Sequence, residues 1–546
     1  MKSKPYSPTH SMVLLLFFAA LHYSAALAGD GWTSFRNGGG SRTESALPTE
    51  WAPGDGIAWQ HELAGYGQSA PVIIGGKVFV SSVEGPMCEK LVLQCFDLST
   101  GDSLWQYDRQ TSAGHPSNYM NARAAPTPLV DKDAFYAFFE TGDFVCLNHN
   151  GELLWHRNEA EAFGEFGNNH GIGSSPAMDG QNLYLLTEHD GPSFLSAINK
   201  KSGETVWRTK RTSTKSWSSP IVAQVSDRDN CVVVSSGGTV TAYSSADGSQ
   251  EWQIDGIEGN SVPSPTTAGR FLLVGARLPE FATDGQVQAN CCLDLSTIID
   301  GKPAVIWRAD KAICDYASPV TSNGYAYFVS KASVLHCVDI ASGEVAYRKR
   351  LSLDCWATPV VYDNAIYFFG KNGQTRIVHG GPEFTEIANN TLWNPDAPPA
   401  PERYVESVAG RGGGHGSGAT HGSGGTHGGG SAHGGGSAHG GGSAHGGGSA
   451  RSGGMVARMM AGDANKDGIL EGEEISVRFR SMLSRIDTDG DGKLNQKELE
   501  AMAKSFAERR SNSSASARDP IVYGVAAADG KIAVRTGTRL YVIDGK

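Results

Sequence analysis

The sequence predicts an all-β protein, an eight-bladed β-propeller, with a small α-helical module inserted between the seventh and eighth blades. Three observations favour this fold class. A strand-turn-strand unit that closes on an aromatic residue recurs along the chain, a small residue followed by proline opens each unit, and the two ends of the chain supply complementary parts of one unit. The units recur about every 40–55 residues, which is the period of a propeller blade.

The closing aromatic residues define six of the blades. Each ends a segment such as "CFDLSTGDSLW" or "AINKKSGETVW", in which a short strand, a glycine turn and a second strand follow one another. Segments such as "SSPIV" and "ATPVV" open the units, and four short strands per unit indicate blades. The six closing residues are Trp105, Trp155, Trp207, Trp252, Trp307 and Tyr347.

The seventh and eighth blades come from less regular segments. Residues 357–387 supply a seventh blade that has lost its tryptophan, and "YGVAAADGKIAVRTGTRLYVIDGK" at the end of the chain supplies most of an eighth. The strand that this last blade lacks is Gly56–Leu63, in which Trp59 takes the place of the closing aromatic residue. Pairing of the two ends would close the ring and leave no long sheet edge unpaired.

The signature A-x-D-x-x-T-G-x-x-x-W recurs nearly complete, and it resembles the PQQ-like β-propeller repeat family. That family includes quinoprotein dehydrogenases and outer-membrane assembly propellers. The segments "GWTSFRNGGGSR" and "IAWQHELAGYGQSAPVI" resemble the opening of exported bacterial members of the planctomycete type. The resemblance covers residues 30–390 and 519–546; it implies the fold, and it implies little about activity, because one fold hosts many functions.

The N-terminus predicts export. Lys2 and Lys4 precede the apolar run Met12–Leu21, and an A-x-A site lies at Ala26–Ala28. This is the pattern of a signal peptide over residues 1–28, and the apolar run is too short to span a bilayer as a helix. We expect cleavage after Ala28 and a periplasmic or extracellular chain without a transmembrane segment. An uncleaved anchor is the alternative.

The charge of the chain argues against nucleic-acid binding, and the placement of the cysteines argues against a disulfide framework. The formal charge is −11 and no cluster of Lys or Arg is present, so the chain lacks the footprint of a nucleic-acid binder. Among its nine cysteines, four stand where Ala197 and Ala242 stand in sister blades, so we expect small buried hydrophobic residues there. An adjacent Cys291–Cys292 disulfide, as in some quinoprotein dehydrogenases, and a Cys314–Cys355 bridge remain alternatives. The four cysteines are Cys95, Cys146, Cys292 and Cys337.

A candidate ligand site lies at one mouth of the central channel. Residues just before each inner strand should surround that mouth, and here polar and aromatic side chains alternate, as in sites for small molecules or peptides. The alternative is that the aromatic residues wedge neighbouring blades together. The candidates are Gln68, Asn121, Arg123, Asn168, His170, Trp217, Asn260, Asp315, Tyr316 and Trp356.

The family resemblance raises an enzymatic alternative, a PQQ-dependent alcohol or sugar dehydrogenase. Such an enzyme needs a channel calcium ion, a general base and an aromatic floor. Asp315 and the asparagines are candidates, but no motif matches the dehydrogenase pattern residue by residue. We therefore expect no PQQ and a monomeric recognition or scaffold protein for an envelope protein or glycan.

The segment between blades 7 and 8 departs from the repeat. Residues 391–453 begin proline-rich and continue as a Gly/Ser tract with a histidine every six residues, which indicates a flexible tether. Loose binding of Zn²⁺ or Cu²⁺ by these histidines is an alternative. Residues 29–390 form the propeller up to blade 7, and residues 511–546 form blade 8.

Residues 454–510 resemble a paired EF-hand, because two 12-residue loops lie between apolar helical patterns. Glycine stands at position 6 of each loop, glutamate closes each at position 12, and Leu470 and Leu494 at position 8 should pair the loops. The spacing predicts two Ca²⁺ sites; a dockerin is the rival. The ligand positions are Asp463, Asn465, Asp467, Ile469, Glu471 and Glu474 in the first loop, and Asp487, Asp489, Asp491, Lys493, Asn495 and Glu498 in the second.

Overall fold

The computed structural model contains eight sheets of four or five strands, one per predicted blade. It describes residues 31–545 except 113, 116–121, 169, 225–229, 278–289, 310–311, 395, 404–462, 464, 466, 475–486, 488–490 and 502–516. The predicted signal peptide and most of the tether lie outside these residues. Among the helices that are described, none is long and apolar enough to cross a membrane.

Seven blades follow one another along the chain, and each contributes four strands from the channel outwards. Their bounds are Val72–Ile74, Lys77–Glu84, Lys90–Asp97 and Ser103–Gln110 for blade 1; Leu129–Val130, Ala134–Phe138, Asp143–Asn148 and Leu153–Asn158 for blade 2; Ala177–Met178, Asn182–Thr187, Ser193–Asn199 and Thr205–Arg211 for blade 3; Ile221–Gln224, Asn230–Ser236, Gly238–Ser244 and Gln250–Ile257 for blade 4; Thr266–Ala268, Phe271–Val274, Cys291–Ile299 and Lys302–Arg308 for blade 5; Val320–Ser322, Tyr325–Val329, Val334–Asp339 and Val345–Arg350 for blade 6; and Val360–Tyr362, Ala365–Phe369, Gln374–His379 and Thr385–Thr391 for blade 7.

The two ends of the chain close the ring, as the sequence predicts. Blade 8 takes Gly524–Ala528, Lys531–Arg535 and Arg539–Ile543 from the C-terminus, and Ile57–Glu62 is its outer strand. The outer strand runs antiparallel to Arg539–Ile543, with Trp59 opposite Val542. The remaining elements are a 3₁₀ turn at Asn37–Gly39, Arg42–Thr43, helix Glu159–Phe163, the pair Glu402–Arg403 and Ala517–Arg518, the pair Ile469–Leu470 and Leu494–Asn495, and a 3₁₀ turn at Gly472–Glu474.

The recurring spacing of glycine and tryptophan within the repeats is explained by packing between neighbouring blades. The indole of Trp105 lies against the turn of the next blade and donates Nε1–H to the carbonyl of His149, at 2.9 Å. Gly151 of that turn has φ of 83°, and a Cβ there would lie 2.9 Å from the indole. Each tryptophan thus joins its blade to the next. The equivalent bonds are Trp59 to Leu98, Trp155 to Lys200, Trp207 to Ser245 and Trp307 to Ile340.

Trp252 is the exception to this pattern. Its Nε1 is buried without a hydrogen-bond partner within the described part of the chain. The facing turn of blade 5 is irregular, because the strand register shifts between Asp294 and Ile298. Blade 7 lacks the aromatic residue altogether, since Ala388 occupies the position opposite Ile377.

All nine cysteines are buried thiols, and no disulfide joins any two of them among the described residues. Cys95 and Cys146 pair across the sheet with the tryptophans of their own blades, where a small side chain leaves room for the indole. Burial raises the pKa of both thiols to about 12. The structure therefore has neither the adjacent disulfide nor the bridge between Cys314 and Cys355.

The N-terminal segment Trp32–Thr43 enters the central channel, which the sequence does not predict. Trp32 pairs with Ile73 of blade 1, and the guanidinium of Arg36 donates to Thr266 of blade 5 at 2.6 Å. Arg42–Thr43 then adds a parallel fifth strand to the inner edge of blade 7. This plug, as we call Trp32–Thr43, contacts the inner strands of blades 1, 5 and 7.

Candidate functional site

A belt of six hydroxyl groups surrounds the channel just above the plug. Each belongs to the residue before the proline that opens an inner strand, and each accepts a backbone N–H from the corresponding residue of the preceding blade. Proline restricts its predecessor to extended conformations, so this N–H points sideways to the next blade. The bonds run from Ala70 to Thr127, then to Ser175, Ser219, Ser264, Ser318 and Thr358, with N···O distances of 3.0, 2.9, 2.9, 2.8, 3.0 and 3.2 Å.

The belt encloses a cavity of about 100 Å³ at the centre of the ring, which we call the central cavity. The plug forms its floor through Trp32, Phe35, Arg36 and Ser41. All six belt hydroxyl residues line its wall. Gln68, Trp217, Tyr316 and Tyr523 also line it, and Tyr316, which is 41% exposed, marks its open side.

Three of the predicted mouth residues line this cavity, namely Gln68, Trp217 and Tyr316. Each stands two positions before the belt position of its blade. Trp217 donates its Nε1–H to the carbonyl of Gly171 at 3.0 Å, so its indole is fixed between blades 3 and 4. The ring of His170 packs against it with centroids 5.8 Å apart.

An arc of aromatic residues continues from Tyr316 around the mouth. Its members are successive neighbours: the ring centroids of Tyr316 and Trp356 are 5.6 Å apart, those of Trp356 and Tyr523 6.2 Å, and those of Tyr523 and Tyr66 6.2 Å. The ammonium of Lys371 lies 4.5 Å from the centre of the Trp356 ring. Tyr316 is 41% exposed and Tyr66 is 2% exposed, so the aromatic arc presents its Tyr316 end to solvent as an amphipathic surface.

Four other predicted mouth residues hold loops together instead. Asn260 donates to Ser235 and to the carbonyl of Thr239, and it accepts from Gly238, so its amide stabilises blade 4. Asp315 accepts the N–H of Lys331 at 2.7 Å. Neither side chain is among those that line the central cavity.

Arg123 and Asn168 are likewise buried in loops, and Asn121 lies outside the described residues. Arg123 donates to the carbonyl of Gly85 at 3.2 Å, and the Asn168 side chain accepts the N–H of His170 at 3.1 Å. Blade 2 carries two prolines, and it is Pro128 that follows the belt residue Thr127. The residue equivalent to Gln68 is therefore Ala125, which does line the cavity.

Two buried guanidinium groups lie near the centre of the ring. Arg36 donates to Thr266 and to the carbonyl of Pro265, and its Nε has no hydrogen-bond partner among the described residues. Arg535 donates to Ser69, Ser82 and the carbonyl of Ser81 between blades 8 and 1. Burial lowers the pKa of each to about 9, so both stay cationic at neutral pH.

The segment between blades 7 and 8 leaves and rejoins the ring beside the aromatic arc. Glu402–Arg403 pairs antiparallel with Ala517–Arg518, so the two ends of this insertion form a short ribbon. Glu402 is buried and accepts from Thr536 and from the N–H of Gly537. Arg518 donates to the hydroxyl of Tyr66 at 2.7 Å. The insertion is therefore rooted at the mouth face.

In the described parts of the two predicted calcium loops, the backbone turns at the position-6 glycines in the way that a calcium loop requires. Gly468 and Gly492 have φ of 83° and 79°, and their N–H groups donate to Asp463 and Asp487 at 2.9 and 2.8 Å. Ile469–Leu470 pairs antiparallel with Leu494–Asn495, as expected for paired loops. Residues 496–501 are helical.

The remaining loop ligands lie partly outside the described residues. Both carboxylate oxygens of Glu474 accept backbone N–H groups of the first loop. Among the residues described, no three His, Cys, Asp or Glu side chains are grouped so as to hold a metal ion, and Asp489 lies outside them. Calcium binding therefore stays a prediction from the sequence, and the geometry of the two turns is compatible with it.

Comparison with known proteins finds propellers of one kind. Residues 42–191 and 191–303 match the family described as "Outer membrane protein assembly factor BamB". A curated relative of that name from Yersinia pestis is 25% identical over 227 residues, which is 40% of this chain and 51% of the relative. The chain thus spans about half the length of the curated relative that it matches. The family match and the eight sheets together support the PQQ-like repeat architecture.

The solved structures that match the chain are more distant in sequence. BamB from Moraxella catarrhalis is 12% identical, with a TM-score of 0.45 over 62% of this chain and 91% of that one. The quinohemoprotein alcohol dehydrogenase ADHIIG from Pseudomonas putida HK5 is 11% identical, with a TM-score of 0.46 over 66% and 72% of the two chains.

The central cavity does not fit PQQ, the cofactor that the dehydrogenase alternative requires. Its volume of about 100 Å³ is below the roughly 300 Å³ at which small-molecule pockets begin. No described residue that lines it is an Asp or Glu that could act as a general base or hold calcium beside the cofactor. Asp315, the carboxylate named for that role, is bound to Lys331.

Proposed function

We propose that the chain is an exported scaffold propeller that recognises an envelope protein through its mouth face, and that an inserted EF-hand pair binds two Ca²⁺ ions. One observation carries the proposal. The aromatic arc, the open side of the central cavity and the root of the insertion lie together on one face. A binding surface of aromatic and cationic residues around a concave centre is typical of protein interfaces.

The mouth face also has a larger cleft beside the ribbon. It encloses about 620 Å³ between blades 8 and 1 and is lined by Tyr66, Glu84, Arg123, Glu402 and Arg403, among others. Its walls carry both charge signs, which suits a polypeptide better than a uniformly charged ligand. Likeness to a relative named as an outer-membrane assembly factor favours an envelope protein over a glycan.

Calcium binding can be tested separately from partner recognition. We expect titration calorimetry of the full chain to give two sites. Replacing both position-12 glutamates, Glu474→Gln with Glu498→Gln, removes the bidentate ligand from each loop and should abolish both. Glu383→Gln, at an exposed position in blade 7, serves as the matched control and should leave them unchanged.

The same double variant tests whether the module and the propeller are coupled. Because the insertion is joined to the ring through the ribbon at Glu402–Arg403 and Ala517–Arg518, we expect the propeller to melt at the same temperature with or without calcium. Loss of the propeller transition in the double variant would contradict an independent module.

A PQQ-dependent dehydrogenase is the alternative, and reconstitution decides between the two. The full chain is incubated with PQQ and Ca²⁺, passed over a desalting column and examined for quinone absorbance and dye-linked oxidation of alcohols and sugars. We expect neither. Stoichiometric quinone that is lost in Trp217→Ala would replace the scaffold proposal with the enzymatic one.

A further inference from the structure

We infer that the central cavity is an anion site that takes one small carboxylate, held by the belt hydroxyls and by Arg36. The carboxylate is either a free anion of two or three carbons or the end of an acidic side chain presented at the mouth. This inference concerns a part of the molecule that is remote from the calcium loops, and it requires no calcium.

The first argument is that the belt carries O–H donors that are not used within the described part of the chain. A hydroxyl has one O–H donor and two lone pairs, and each belt hydroxyl already uses one lone pair to accept an N–H. None of these six O–H groups has an acceptor among the described residues, although five of the six residues are no more than 3% exposed. Unused buried donors are costly, so the cavity favours an occupant that accepts hydrogen bonds.

The second argument is charge. Among the described residues that line the central cavity, Arg36 is the one with a formal charge, and none is acidic. Arg36 is 2% exposed and has no carboxylate partner there, and within the described part of the chain its Nε has no hydrogen-bond partner. A buried cation is usually paired, so its missing partner is an anion.

The third argument is size. A volume of about 100 Å³ is several times the roughly 10–15 Å³ that a single water needs, so the cavity has room for a ligand of a few non-hydrogen atoms. That space accommodates a carboxylate with one or two further carbons and excludes nucleotides, sugars and PQQ. Trp217 and Tyr316 at the open side offer apolar surface to the carbon end of such an anion.

The test is calorimetric titration of the full chain with sodium acetate, with sodium chloride adjusted to hold ionic strength constant. We expect one saturable site per chain. Arg36→Gln should weaken acetate binding by at least about tenfold, the loss expected for a charge-assisted hydrogen bond, whereas Arg36→Lys should retain most of it. Arg42→Gln is the matched control, because Arg42 lies on the same plug but donates to Thr321 and Asp363 outside the cavity.

A second comparison separates the two sources of the carboxylate. The blocked peptides Gly-Asp-Gly and Gly-Asn-Gly are titrated into the chain that has been saturated with acetate. Competition by the aspartyl peptide alone indicates an acidic side chain as the occupant; no competition indicates a free anion.

If Arg36→Gln does not fold, Thr127→Val removes one belt hydroxyl with nearly the same shape and should weaken acetate binding. Absence of saturable acetate binding to the unaltered chain, or equal binding by every variant that folds, would overturn the inference and leave the cavity to water.

Discussion

Deletion of residues 540–546 tests ring closure, because it removes most of the strand that joins the two ends of the chain. The four residues Leu540, Tyr541, Val542 and Ile543 are each no more than 2% exposed. At about 1.5–3 kcal/mol per buried side chain, their loss costs about 6–12 kcal/mol. That is comparable with the whole stability of a typical domain, about 5–15 kcal/mol. The outer strand Ile57–Glu62 also loses its partner.

The assay is thermal unfolding followed by circular dichroism, combined with hydrogen exchange of the backbone amides. We expect the truncated chain to melt far below the full chain or to be unfolded, and residues 57–62 to lose protection. A point pair provides the control: Ile543→Ala, at a fully buried site, should cost about 2–5 kcal/mol, and Ile387→Ala, at a 43% exposed site, much less. A truncated chain that melts within about 2 °C of the full chain would refute closure by this strand.

Two further predictions concern packing and the thiols. Gly151→Ala should lower the free energy of unfolding by about 1–3 kcal/mol, because the added Cβ would lie 2.9 Å from the Trp105 indole at a positive φ. Gly180→Ala is the control and should be nearly neutral, because its Cβ would meet nothing within 4 Å. Equal denaturation midpoints for the two variants would contradict the packing role. At neutral pH the native chain should react with a thiol reagent only as fast as it unfolds. All nine thiols are buried, and burial raises the pKa of Cys95 and Cys146 to about 12. Rapid labelling of the folded chain would contradict this prediction.

The repeat could be predicted from sequence because the glycine and the proline of each blade are required by contacts that recur in every blade. The glycine of each turn is needed where the preceding blade's indole approaches, and the proline fixes the start of each inner strand, so both leave a periodic trace. Closure by Gly56–Leu63 was predictable for the same reason, since Trp59 carries the signature without the preceding strands. The irregular turn of blade 5 could not be predicted in this way. Trp252 keeps its place in the repeat, although its Nε1–H has no partner among the described residues.

The centre of the ring was only partly predictable. Trp217 and Tyr316 were found because each stands two residues before a belt position, whereas Tyr523 was missed because blade 8 has no proline directly before its inner strand. Arg123 was misplaced by counting from Pro126 instead of Pro128. The plug was missed because its contacts, such as Arg36 with Thr266, join residues that are distant in sequence and follow no period.

The most direct test of mouth-face recognition is site-specific photocrosslinking in intact envelopes. A photoreactive phenylalanine analogue replaces Tyr316 on the aromatic arc or, as the control, Ile299, which is 58% exposed at the outer end of blade 5. We predict one discrete envelope protein crosslinked from position 316 and absent from position 299. Crosslinks from position 299 alone, or identical products from both positions, would contradict recognition through the mouth face.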